Sequence, residues 1–338
     1  MTLLNFYDTI EAKGGVIMDD FLNSHEVRCD WITTRSLWSE YKKYCKNHNL
    51  ENATHEEAVK AFVESRQSQQ RWDDITSRVN YDYQYVTGLG YNVFFVALTG
   101  SQNYGLAYEK SDIDTKAIVI PSFKDMAMNK KPVSETIVLP TNEHIDVKDV
   151  RLYIDLLKRD SPQWLETVFT PWNYVSFRYK KYWDILESVK HILIRSDEKK
   201  FYNVCKGQIM QKVKDMTHIR PGNEYDMAHF GYDTKCCYHI HRFAELAQRY
   251  HDFPQMNYGQ MLWSEQRDYI LKIKRGQVPK DIAVKEALDK ADKYIPIIEK
   301  WADEAPEKHT EFSFSMLDDA LYGVLKYATK EEFEDETE

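Results

Sequence analysis

The sequence predicts an α+β protein in which a small β-sheet core lies between a helical amino-terminal extension and a helical carboxy-terminal domain. Three observations carry this. Four short runs rich in strand-forming residues, at 92–99, 113–120, 134–139 and 143–148, fall within about sixty residues and are parted by turn residues. After Lys148 the apolar residues recur at helical spacing and continue to do so. Before Tyr91 the chain also reads as mostly helical.

In the extension, Thr33-Thr34 precede a segment with Leu37, Tyr41, Tyr44 and Cys45 on one helical face. Thr54-His55-Glu56-Glu57 forms a capping box, in which a hydroxyl and a carboxylate satisfy amides at a helix start. The helix it opens, with Ala58, Phe62 and Val63 inward, runs to about Ser65. This helix-loop-helix resembles winged-helix segments of viral primase-helicases over a short stretch. It has no concentrated Lys/Arg face, which favours packing or partner docking over DNA binding.

Helices are expected at 149–158, 163–168, 182–194, 198–216, 232–250, 263–274 and 283–295, the last with Val284, Leu288, Ala291 and Ile295 as an inward stripe. The resulting division is an extension at 1–88, a core at 89–170, a helical domain at 171–330 and an acidic tail at 331–338.

Hydrophobic residues make up 43% of the 338, which is enough apolar surface to exclude wholesale disorder. Of the formal charge of −9, six units come from the tail (Glu331, Glu332, Glu334, Asp335, Glu336, Glu338), read as a solvated, frayed end. The body is therefore nearly neutral, and any nucleic-acid contact must be local. No apolar run approaches the roughly 18 residues of a membrane span. Asp8 and Glu11 stand where a signal peptide is apolar, and five irregularly spaced cysteines do not make a disulfide framework, so a cytoplasmic protein is expected.

The chemistry is concentrated in residues 100–114. On a strand, residues two apart share a face, so Asp112 and Asp114 are expected to project together while Ile113 enters the core. Two carboxylates in one small volume suit a hard divalent cation, Mg²⁺ or Mn²⁺, with positions left for phosphate. Upstream, Gly100-Ser101 at a strand end allows close backbone approach and offers amides and a hydroxyl to phosphate oxygens. A third carboxylate, Asp146, is expected on the outward face of a later strand with His144 and Lys148, because Ile145 and Val147 face inward. Its neighbour Asp149 is assigned to the N-cap of the next helix.

Gly100-Ser101, then Asp112-Ile113-Asp114, then an apolar-Asp-apolar triplet at Asp146 resemble the signature of the DNA polymerase β-like nucleotidyltransferase superfamily. Asn103-Tyr104-Gly105 and Ser111-Asp112-Ile113-Asp114 look most like its branch of predicted nucleotidyltransferases in bacteria and their phages. The resemblance implies a mixed-sheet core and metal-dependent attack of an acceptor hydroxyl on the α-phosphorus of a nucleoside triphosphate such as ATP, with release of pyrophosphate. It implies that Gly100 and Ser101 hold the β- and γ-phosphates and that Asp112, Asp114 and Asp146 bind the metal ions, Asp146 nearest the acceptor. The acceptor is left open among an RNA or DNA 3′ end, a protein and a small molecule. A binding module that has lost catalysis and docks nucleic acid or a replication or RNA partner is the alternative.

Lys235, His239 and Arg242 are spaced i, i+4 and i+7 on a predicted helix and share a face. The resemblance places a Lys and an Arg of such a helix, Lys235 and Arg242, near the nucleotide; an exposed basic stripe is the competing reading. Cys236, Cys237, His239 and His241 lack zinc-ligand spacing and read as small core cysteines beside histidines. Lys206, Lys212, Lys214, His218 and Arg220, and the run 272–276, could guide a nucleic-acid acceptor, although solvated helix faces are the favoured reading. Glu166 fits the family pattern too, and is equally explained as an exposed residue on a helix begun by Ser161 and Pro162. Walker, nucleophile-elbow, metalloprotease and dinucleotide motifs do not occur.

Overall fold

The computed structural model describes residues 73–108, 111–159, 161–264, 266–306 and 311–335. The helices expected before residue 66, with Cys29 and Cys45, lie outside the described residues. The chain divides into two units, Met1–Ser77 and Arg78–Glu338. The second unit contains the sheet and the helices that follow it.

Helix α1 (residues 73–88) leads into β1 (Asn92–Thr99), β2 (Asp114–Ile120), a short helix α2 (Phe123–Ala127), β3 (Ser134–Val138) and β4 (His144–Asp149). Helices α3 (Val150–Lys158) and α4 (Pro162–Phe169), strand β5 (Asn173–Val175), and helices α5 (Lys180–Leu193), α6 (Glu198–Asp215), α7 (Glu224–His229) and α8 (Thr234–Asp252) follow. The chain continues through α9 (Tyr258–Met261), α10 (Arg267–Lys274), α11 (Lys280–Glu304) and α12 (Glu311–Asp335). The fold is α+β with a five-stranded mixed sheet of order β3-β4-β2-β1-β5, in which only β2 and β4 run parallel.

Strand periodicity gives the sheet two different faces. Leu98, Thr115, Ala117, Ile145 and Val147 point to one side, where α1 lies with Val79, Asp82 and Val86 buried at helical spacing and Asp82 accepting the Thr115 hydroxyl at 2.7 Å. Phe95, Ala97 and Ile118 point to the other side and pack under α3 and α4; the ring of Tyr153 lies 5.4 Å from that of Phe95 and 6.1 Å from that of Trp164. Asp149 closes β4 and caps α3 by accepting the Arg151 amide, as its position predicted.

Three elements differ from the sequence expectation. Strand β2 begins at Asp114, so Ile113 is only half-buried and Asp112 stands in the exposed approach to the strand. The inward stripe of α11 is Ala283, Ala287, Ala291, Ile298 and Ala302, while Leu288 is exposed, because small residues let α11 lie close against α6 and α8. The acidic tail is not frayed from Glu331: α12 continues to Asp335, Phe333 packs on Phe123, and Glu332 accepts the Phe123 amide that opens α2. Among the described residues no helix is long and apolar enough to cross a membrane.

Candidate active site

The Phe95 face of the sheet changes character at one end of the strands. In register order, Thr99 lies opposite Asp114, Lys116 opposite Asp146, and Asp146 opposite Thr136. Residues in register point the same way, so Thr99, Asp114, Lys116, Asp146 and Thr136 all stand on that face. They border a cavity of about 610 Å³, ample for a nucleotide. Gly100, Ser101, Asp112, Asp114, Asp146, Lys235 and Arg242 all line it.

The bend after β1 forms because Gly100 takes φ +86°, a conformation that glycine adopts without strain. A 3₁₀ turn over Gly100–Gln102 is closed by the Asn103 amide donating to the Gly100 carbonyl. The Asn103 side chain donates to the Leu98 carbonyl and accepts the Thr170 hydroxyl, which ties the bend to the sheet and to the end of α4. Gly105, at φ +66°, lies so near the Trp263 ring that a Cβ there would meet it at 2.7 Å. Arg267 and Lys274 of α10 donate to the carbonyls of Gly105 and Leu106 at 2.6 and 2.7 Å, holding the loop from the helical side.

The carboxylates keep acceptor capacity toward the cavity. Asp114 Oδ1 accepts the His144 amide at 2.9 Å, and Asp146 Oδ1 accepts the Thr136 hydroxyl at 2.6 Å. No Lys or Arg pairs with Asp112, Asp114 or Asp146 among the described residues. Nor do any three His, Cys, Asp or Glu side chains among them form a ready-made metal cage. The donor set fits Mg²⁺ nonetheless, because that ion is characteristically held by one or two carboxylates with water and substrate phosphate oxygens completing its shell. Asp114 and Asp146 are diagonal neighbours on adjacent strands.

The facing wall is cationic. Lys235, Tyr238, His239 and Arg242 of α8 and Lys274 of α10 line the cavity, so the face expected for α8 does turn toward the site. Arg242 is buried between the rings of Tyr104 and Phe243, at 4.1 and 4.3 Å from their centroids. Its Nε donates to His239 Nδ1 at 3.3 Å, which leaves the His239 proton on Nε2. Burial, and then Arg242, hold His239 far below the usual histidine range, so the ring is neutral. Cys236 and Cys237 are buried core residues, with burial raising both thiols.

Several site residues are not evident from sequence. Lys116 is buried at 5% exposure, its amine donating to Thr99 Oγ1 at 3.0 Å and to the Gln163 carbonyl and pairing with Glu166 at 3.3 Å. Glu166, which the sequence left open between the family pattern and an exposed helix residue, is 1% exposed and lines the cavity, because its carboxylate collects the Tyr104 hydroxyl, the Thr99 hydroxyl and the Lys116 amine. Lys274 does not sit on a solvated face; it is turned inward between Tyr108 and Tyr238. In the other basic stretch, Lys206 pairs with Glu299, and Arg220 is held by Asp215 and Asp233.

The sequence profile of the RNA repair pathway DNA polymerase beta family (RlaP) matches residues 77–305, more than half of the chain and all of the site. The chain belongs to this family. It is thus a member of the polymerase β-like nucleotidyltransferase superfamily, with the helical wall of the cavity inside the matched region as well as the sheet. No curated protein matches the sequence.

Proposed function

We propose that the protein transfers a nucleoside monophosphate from a nucleoside triphosphate to the 3′ hydroxyl of an RNA, releasing pyrophosphate. The observation that carries this reading is the bipolar cavity, in which Asp114 and Asp146 share one sheet face beside the Gly100-Ser101 bend and oppose Lys235, Arg242 and Lys274. The RNA acceptor is favoured by the family, whose name places it in RNA repair.

Asp112, Asp114 and Asp146 would hold Mg²⁺ or Mn²⁺, which supplies positive charge to the acceptor and leaving oxygens when bound. The bend would receive the β- and γ-phosphates at the Gly100 backbone and the Ser101 hydroxyl. Lys235, Arg242 and Lys274 would balance triphosphate charge from the opposite wall and stabilise the departing pyrophosphate. Arg242 is suited to this because its ring contacts fix the guanidinium before the ligand arrives.

Incubation with α-labelled or γ-labelled triphosphates, Mg²⁺ or Mn²⁺ and RNAs bearing a free or blocked 3′ end tests the reading. Label is expected on the RNA from the α position alone, and only where the 3′ hydroxyl is free. Transfer from the γ position would identify a kinase instead. Absence of transfer together with triphosphate-dependent RNA retention would identify a binding module.

A pH dependence follows from Lys274. Burial, and then the charge of Lys235, push its ammonium down to about 8. The charge is present below that value and lost as pH rises through it. Triphosphate affinity is therefore expected to fall between about pH 7 and pH 9, and Lys274→Gln to flatten the profile. Binding of a non-hydrolysable triphosphate, titrated across this range, provides the measurement.

A further inference from the structure

We infer that Glu166 is a positioning residue for triphosphate binding, holding both ends of the Gly100-Ser101 bend and, through Tyr104, the Arg242 guanidinium. The inference rests on the proposed reading of the cavity as a nucleotide site.

Glu166 lies on α4, outside the bend and outside α8, yet its carboxylate holds both ends of the bend and, through Tyr104, reaches the cation of α8. One oxygen accepts the hydroxyl of Thr99, the residue that enters the bend. The other accepts the Tyr104 hydroxyl, two residues beyond the 3₁₀ turn, at 2.6 Å. Tyr104 in turn carries the Arg242 guanidinium 4.1 Å above its ring centre. A single carboxylate therefore fixes where the bend begins, where it ends and where the opposing cation stands.

Both the burial and the chemistry favour this role over a space-filling one. A carboxylate at 1% exposure is costly unless paired and hydrogen-bonded, and an apolar side chain of similar volume would pack α4 at lower cost. Lys116, beside it on the cavity wall, neutralises the charge, so Glu166 can accept hydrogen bonds without adding net repulsion to a bound triphosphate. Burial, and then the Glu166 charge, raise the Tyr104 phenol well above its ordinary value. The phenol therefore stays protonated and donates to Glu166 across the working pH range.

Glu166→Gln and Tyr104→Phe test the inference. The first leaves an acceptor oxygen but removes the charge; the second removes one hydroxyl and keeps the ring under Arg242. Dissociation constants are measured for an α,β-methylene triphosphate with Mg²⁺ and, separately, for RNA. Glu166→Gln is expected to weaken triphosphate binding by about tenfold and Tyr104→Phe by severalfold, with RNA affinity unchanged. The double variant should be no weaker than Glu166→Gln alone, because both changes break the same linkage. In turnover, the loss should fall on the nucleotide KM and not on the acceptor KM. Thermal melting monitors folding, and if Glu166→Gln does not fold, Tyr104→Phe decides alone. Wild-type triphosphate affinity in Tyr104→Phe, or an equal loss for triphosphate and RNA, overturns the inference and leaves the proposed function standing. Failure of the wild-type protein to bind the analogue overturns both.

Discussion

Asp114→Asn and Asp146→Asn are each expected to lower nucleotidyl transfer by roughly a thousandfold or more, since several kcal/mol of transition-state stabilisation by bound metal is lost. The substitutions are nearly silent for folding. Asp114→Asn retains the oxygen that accepts the His144 amide, and Asp146→Asn the oxygen that accepts the Thr136 hydroxyl. Both positions are half-buried at the end of the sheet, so no core contact changes. What disappears is the negative charge that the proposed divalent ion would require. Single-turnover rates at saturating triphosphate, across a Mg²⁺ titration, separate weaker metal binding from a slower step. A variant that keeps its rate within about tenfold at every metal concentration would falsify the assignment of these carboxylates.

The legibility of this site in the sequence follows the range of the interactions involved. Asp114 and Asp146 can be placed on one face because each sits in a strand where parity alone sets direction, and the register of β2 with β4 agrees with that reading. The Gly100 bend is legible for the same local reason, a glycine directly after a strand. Lys116 carries a subtler signal: a lysine between Thr115 and Ala117 shares parity with Asp114 and must have a buried partner. That partner, Glu166, lies fifty residues on, on a helix whose opening Ser161-Pro162 explains its local sequence without it, so apart from the family pattern nothing nearby marks it as buried. Lys274 is similar, since its burial depends on the loop at Leu106. Helix α12 is not among the helices expected from sequence, although Leu317, Ala320, Val324 and Ala328 repeat at three and four. Gly323 within it is a contact point, where a Cβ would stand 2.4 Å from the Tyr182 ring.

Lys116→Met is expected to cost about 3–5 kcal/mol of folding stability, the largest loss from any single change at the site that leaves the backbone untouched. The amine it removes is the only cation paired with Glu166 among the described residues. Neither side chain has water to fall back on, at 5% and 1% exposure. Methionine fills nearly the same volume beneath Trp164, whose ring the Lys116 amine now approaches at 4.7 Å, so cavity formation contributes little. The loss instead comes from a carboxylate left buried with hydroxyl partners only. Removing that charge as well should restore much of the stability: Lys116→Met combined with Glu166→Gln is expected to be clearly more stable than Lys116→Met alone, with a coupling of about 2 kcal/mol or more. Urea unfolding of the four proteins, wild type, two singles and the double, measures the cycle directly. Additive losses would show that Lys116 stabilises the strand by packing rather than by charge. The same cycle bears on the positioning role inferred for Glu166, because the charge removed in the double variant is the one that accepts the Thr99 and Tyr104 hydroxyls.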